Sequence, residues 1–117
     1  MGIVDINNQP SVITITAERA GRYHRAVLTQ LYRDGRNSDL VSIMIFTHQT
    51  LEGAGDPRTQ FENYYSEVTV SEARFFSADI NDEGRITYPS KLPPKVLRDA
   101  LGSQIDAPSL KALRSKV

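Results

Sequence analysis

Residues 39–48, DLVSIMIFTH, decide the fold. Val41, Ile43 and Ile45 alternate with Ser42, Met44 and Phe46, a largely β-branched period of two that suits a pleated strand with one face on a core and the other partly polar. Turn-forming clusters bound the run on both sides, Asp34-Gly35-Arg36-Asn37-Ser38 before it and Glu52-Gly53-Ala54-Gly55-Asp56-Pro57 after it. A central strand with fixed ends is the consequence. No motif of catalytic chemistry lies on it or beside it.

Working outward toward the N-terminus, residues 17–33, AERAGRYHRAVLTQLYR, admit two readings. Ala20, Tyr23, Val27 and Leu31 recur at near-helical spacing, but Gly21 interrupts them and no N-cap signature precedes them. Read with period two, Tyr23, Arg25, Val27, Thr29 and Leu31 share a face, and Arg33-Asp34-Gly35 turns the chain back into the central strand. The strand reading is preferred. Before it, Ile3–Ile6 and Val12–Thr16 form two short β-type runs joined by Asn7-Asn8-Gln9-Pro10, an opening hairpin.

Toward the C-terminus, residues 61–76, FENYYSEVTVSEARFF, alternate Ser66, Val68 and Val70 with Glu67, Thr69 and Ser71, which predicts a long strand, bent near Ser71-Glu72. Asn81-Asp82-Glu83-Gly84 then turns into a last strand, Arg85–Tyr88, closed by Pro89. The tail changes character. Pro93 and Pro94 suit the first turn of a helix whose stripe is Val96, Leu97, Ala100 and Leu101, with Gly102 as C-cap. Asp106 caps a second helix, with Pro108 in its first turn and Leu110, Leu113 and Val117 on one face. Such short helices are unstable alone and must lie on a sheet or on a partner.

At 117 residues the chain reads as one domain, with a hairpin over 1–16, a sheet over 17–89 and two helices over 93–117. The expected class is α+β: an N-terminal β-hairpin, an antiparallel β-meander, and two C-terminal helices packing on a partner subunit. Fourteen basic residues balance fourteen acidic ones, so nucleic-acid binding requires a local patch rather than a basic body. The absence of cysteine excludes disulfides, thiolate metal sites and a cysteine nucleophile. No segment approaches the ~18 apolar residues of a membrane span, and the first ten residues carry no export signal, so a soluble protein is expected.

Tests for active-site chemistry return little. His24 and His48 are the only histidines, and each reads as an ordinary strand residue. Gly53-Ala54-Gly55 lacks the third glycine and is expected to lack the following helix of a dinucleotide fingerprint, and no phosphate-binding loop of the GxxxxGK type occurs. Asp79–Gly84 imitates the start of a calcium loop, but Ser90 stands where a bidentate glutamate is required, and a solvated turn is the better account. No enzyme, cofactor or metal is expected.

Two resemblances bear on function. Asp82-Glu83-Gly84-Arg85-Ile86-Thr87-Tyr88-Pro89 followed by Lys95–Gly102 resembles the swapped-hairpin DNA-binding domains of the AbrB and MraZ type, with Ser90–Pro94 inserted between the halves. That resemblance implies a small dimeric nucleic-acid-binding regulator, with Arg85 contacting phosphate or base. The more extensive likeness lies in the order of parts: the opening hairpin over 3–16, the meander, and the closing helix pair with Asp106-Ala107-Pro108-Ser109 between its apolar stripes. This order resembles the coat proteins of single-stranded RNA bacteriophages. The resemblance implies a virion structural protein, assembled in the host cytoplasm, whose dimers build a shell and bind a genomic RNA hairpin for packaging and translational repression. It also implies that each subunit's helices pack across its partner, making Val96, Leu97, Ala100, Leu101, Leu110 and Leu113 the dimer interface. Strand alternation nominates Arg25, Thr29, Ser42, His48, Asn63, Tyr65, Thr69, Arg85 and Thr87 as RNA contacts on the free sheet face. The coat protein is the leading expectation and the swapped-hairpin regulator the alternative.

Overall fold

The computed structural model describes residues 4–9, 12–30 and 40–113. The fold is α+β. Six antiparallel strands follow one another in a meander: β1 (Val4–Gln9), β2 (Val12–Arg19), β3 (Arg22–Gln30), β4 (Leu40–Gln49), β5 (Arg74–Ile80) and β6 (Ile86–Thr87). Helix α1 (Pro57–Glu67) and a 3-10 turn (Val70–Glu72) lie between β4 and β5; α2 (Lys95–Ser103) and α3 (Ala107–Leu113) close the described chain.

The central stretch is β4, paired with β3 and β5 as its alternation requires. Residues 17–19 and 22–30 are extended, as the strand reading requires, but they belong to two strands, β2 and β3, joined by a hairpin turn at Ala20–Gly21 that the periodicity does not place. Ala20 and Gly21 both have positive φ, 52° and 77°, the left-handed pair that a two-residue connection between twisted strands demands. β1 continues through Asn7–Gln9, read from sequence as turn, and pairs with β2 as far as Gln9 opposite Val12. The expected turn at 34–38, Leu31 and Val117 lie outside the described residues.

The long strand expected over 61–76 is not formed. Residues 57–67 are helical and only 74–80 are strand. The deciding chemistry lies at the helix start, where Asp56 accepts from the Thr59 amide at 2.9 Å and Pro57 occupies the first turn. Phe61, Tyr64, Tyr65 and Val68 then follow at helical spacing, and they outweigh the alternation of the residues after them.

Register sorts the sheet into two faces. On the inner face Ile15, Ala26 and Ile45 stand in one row, and Ile13, Leu28, Ile43 and Phe76 in the next. Leu97, Ala100, Leu101, Leu110 and Leu113 pack onto these rows, with Val96 half-buried at their edge. This corrects the interface expectation: the stripe assigned to a partner is covered by the chain's own sheet, with Leu97 and Leu101 fully buried. A single chain has room because the inner face of a six-stranded sheet accepts both helices. Asp106 caps α3 as expected, accepting from the Ser109 amide at 2.8 Å. Gly102 is not the C-cap; α2 runs to Ser103 and ends at Gln104.

The turn before β6 is fixed by Asn81, whose side-chain oxygen accepts from the amides of Glu83 and Arg85, each at 2.9 Å. Gly84 completes it at φ 80°, where a Cβ would stand 2.5 Å from the Ala107 Cβ. Glycine is therefore required both by conformation and by the approach of α3. Among the described residues no helix is long and apolar enough to cross a membrane.

Candidate functional site

The outer face, opposite α2 and α3, is divided into two halves. Over one half lies α1, anchored on Arg25. This guanidinium donates from Nε to the Thr16 hydroxyl at 2.7 Å, and from Nη1 and Nη2 to the two Glu62 oxygens at 3.0 and 2.8 Å. Its Cζ lies 4.5 Å from the Tyr65 ring centre and 5.0 Å from that of Phe61, so cation–π contact accompanies the fork. Hydrogen bonds from Arg25, and then from Arg58 one helical turn before Glu62, hold the Glu62 carboxyl down near a pKa of about 2. Around this pair, Tyr23 stacks on Phe61 with centroids 5.2 Å apart, Tyr65 meets Phe46 edge-on at 5.4 Å, and His48 stacks on Tyr64 at 4.5 Å. The strand residues beneath α1 thereby become a second, smaller core.

Among the described residues, the other half carries none of these contacts. Two rows cross it in register: Thr14, Val27, Met44 and Phe75, and beside them Val12, Thr29, Ser42 and Ser77. Most of these side chains are half-buried, and Phe75 is 51% exposed. The first row is predominantly apolar and the second mainly hydroxylated, with the carboxylate of Asp79 beyond them on β5. Neither row contains a charged side chain.

The nominated RNA contacts are scattered by this arrangement. Thr29 and Ser42 stand directly opposite each other on the bare half, and Thr87, opposite Asp79, lies on the same face at the β6 edge. Arg25 is 9% exposed and committed to Glu62, so it is not a free cation. His48 lies against Tyr64. Asn63 and Tyr65 are on α1 rather than on a strand, Asn63 exposed and Tyr65 turned to Phe46. Thr69 lies between α1 and the 3-10 turn, its hydroxyl 2.7 Å from that of Ser71, and Arg85 is exposed in the turn before β6. Arg25, Thr69 and Thr87 thus do not form one surface. Met44, Val27, Phe75 and Ser77 were not nominated; the period of two that located Thr29 and Ser42 also locates Val27 and Met44, but only the register brings in β5.

For chemistry, the face offers little. Among the described residues no group of three His, Asp or Glu side chains could hold a metal ion. Comparison with protein-family models, with curated proteins and with solved structures finds no match to this chain.

Proposed function

We propose that the chain is a non-enzymatic structural subunit that associates with copies of itself through the bare half of the outer face, the role implied by its resemblance to phage coat proteins. The observation that carries this reading is the pair of uncharged rows across β2–β5, which no element among the described residues covers, beside a half that α1 already closes. Side chains of this kind lose little on desolvation: Val27, Met44 and Phe75 gain from leaving water, and the hydroxyls of Thr29, Ser42 and Ser77 can hydrogen-bond across a two-fold contact. An RNA-binding surface calls for the opposite composition, cations spaced to meet phosphates. Within this proposal the outer face is therefore a subunit contact. The helix pair, sealed on its own sheet, is not.

Assembly is tested by purifying the full chain and examining it by electron microscopy before and after nuclease treatment. Uniform shells that protect RNA are the expected result for a coat subunit. A discrete dimer without shells retains self-association but removes the coat role, and a monomer at all concentrations overturns both.

A further inference from the structure

A cleft of about 390 Å³ opens on the inner side of the sheet, where the β2–β3 hairpin meets the start of α2. It is lined by Arg19, Arg22, His24, Gln49, Lys95 and Val96, among others. Three features make it unusual for a chain whose charges balance. Arg19 and Arg22 are direct cross-strand partners beside the Ala20–Gly21 turn, so two like charges face each other at the rim, an arrangement that costs stability. The nearest acid in sequence, Glu18, points to the other face and accepts from the Gly21 amide at 2.8 Å, leaving the pair without a carboxylate of its own hairpin. Lys95 adds a third cation from α2, although Asp99 sits 2.8 Å from its ammonium and also feels the charge of Arg19, leaving three cations to one carboxylate among the described residues at the cleft.

The side chains are also held in place. Arg22 donates from Nε to Gln49 at 3.2 Å, which orients the guanidinium and leaves its two terminal nitrogens for another acceptor. His24 is 94% buried, and its Nδ1 lies 2.8 Å from the Thr47 hydroxyl, so Nε2 is the ring nitrogen left to a ligand. We propose that this cleft binds a phosphate group, carried either by a phosphate ester of mononucleotide size or by a nucleic-acid strand. The volume falls within the range of small-ligand sites, roughly 300–1,000 Å³. A dianionic oxygen cluster between Arg19 and Arg22 turns their repulsion into shared attraction. Burial and the charges of Arg74 and Arg22 keep the imidazole neutral, and the proposal requires the tautomer in which Nε2 carries the hydrogen and donates to the ligand while Nδ1 accepts from the Thr47 hydroxyl. This inference does not depend on how copies of the chain associate, since the cleft and the bare half lie on opposite faces.

The test is a two-dimensional amide NMR titration of the full chain with inorganic phosphate, adenosine monophosphate and a short single-stranded oligonucleotide. Saturable shifts confined to Gly21, Arg22, Gln49, Lys95 and Val96 are expected, with affinity reduced roughly tenfold in Arg22→Gln, the loss of one charge-assisted fork. Removing one of two opposed charges should leave the free variant at least as stable as the wild type, a result that a merely structural arginine would not give. Tighter binding of the oligonucleotide with steep salt dependence identifies a strand as the source, and preference for the monophosphate identifies a small ester. Shifts that fail to saturate, that spread over other basic residues, or that are unchanged in Arg22→Gln overturn the proposal.

Discussion

Replacing Glu62 by Gln tests whether α1 is held by the charged fork beneath it. The carboxyl is held near 2 against an ordinary value of 4.5, and the difference corresponds to about 3 kcal/mol if taken at face value. The Glu62 side chain is 42% exposed, however, so water screens the pair, and about 1–2 kcal/mol is the effect expected at neutral pH. In a domain of this size that lowers the melting temperature by roughly 4–8 °C. The sign follows from protons bound. Because folding depresses this pKa, the unfolded chain binds more protons between 4.5 and about 2, and the contribution is fully present above that window and lost as pH falls through it. Burial also holds His24 down at about 4 from 6.5, so stability declines over that interval too, but equally in both proteins. Urea unfolding of wild type and Glu62→Gln from pH 7 to pH 2 should give two curves that converge at the acid end. A constant gap across that range, or none at pH 7, would refute the reasoning.

Two further outcomes follow from packing. Gly84→Ala forces a left-handed conformation on alanine and drives its Cβ into Ala107, so a loss of about 2–4 kcal/mol is expected by denaturant titration; a change below 1 kcal/mol would show that α3 yields freely. Leu97→Asp places a charge inside the chain's own core and should abolish folding, seen as loss of circular dichroism, rather than release a folded monomer from a dimer.

Most of the fold was legible because its signals are local. The β4 alternation, the clustered turn residues and the Asp106 cap each decide their own neighbourhood. Residues 57–76 were misread because two periodicities overlap there: Phe61, Tyr64, Tyr65 and Val68 fit a helix, while Ser66, Val68 and Val70 fit a strand. The Asp56-Pro57 start resolves the conflict, because residues that suit a turn also cap and open a helix. The partner-packed helices were misjudged for a different reason. Whether an apolar stripe meets its own sheet or another's depends on chain reversal after β6, and no periodicity records that. The candidate site was least legible. Alternation can say that Arg25 faces outward, but its burial follows from Glu62, 37 residues away in sequence. The rows that remain bare exist only once β2 to β5 are in register.

Self-association through the bare half of the outer face is read out by sedimentation of the wild type beside Met44→Lys/Phe75→Lys. Both positions belong to one row and neither contributes to the inner core, so the double variant should keep its circular dichroism. The wild type should sediment as a species heavier than the 13.1 kDa chain, and the variant as the monomer. A wild type that is monomeric throughout, or a folded variant with unchanged assembly, would contradict association through this face.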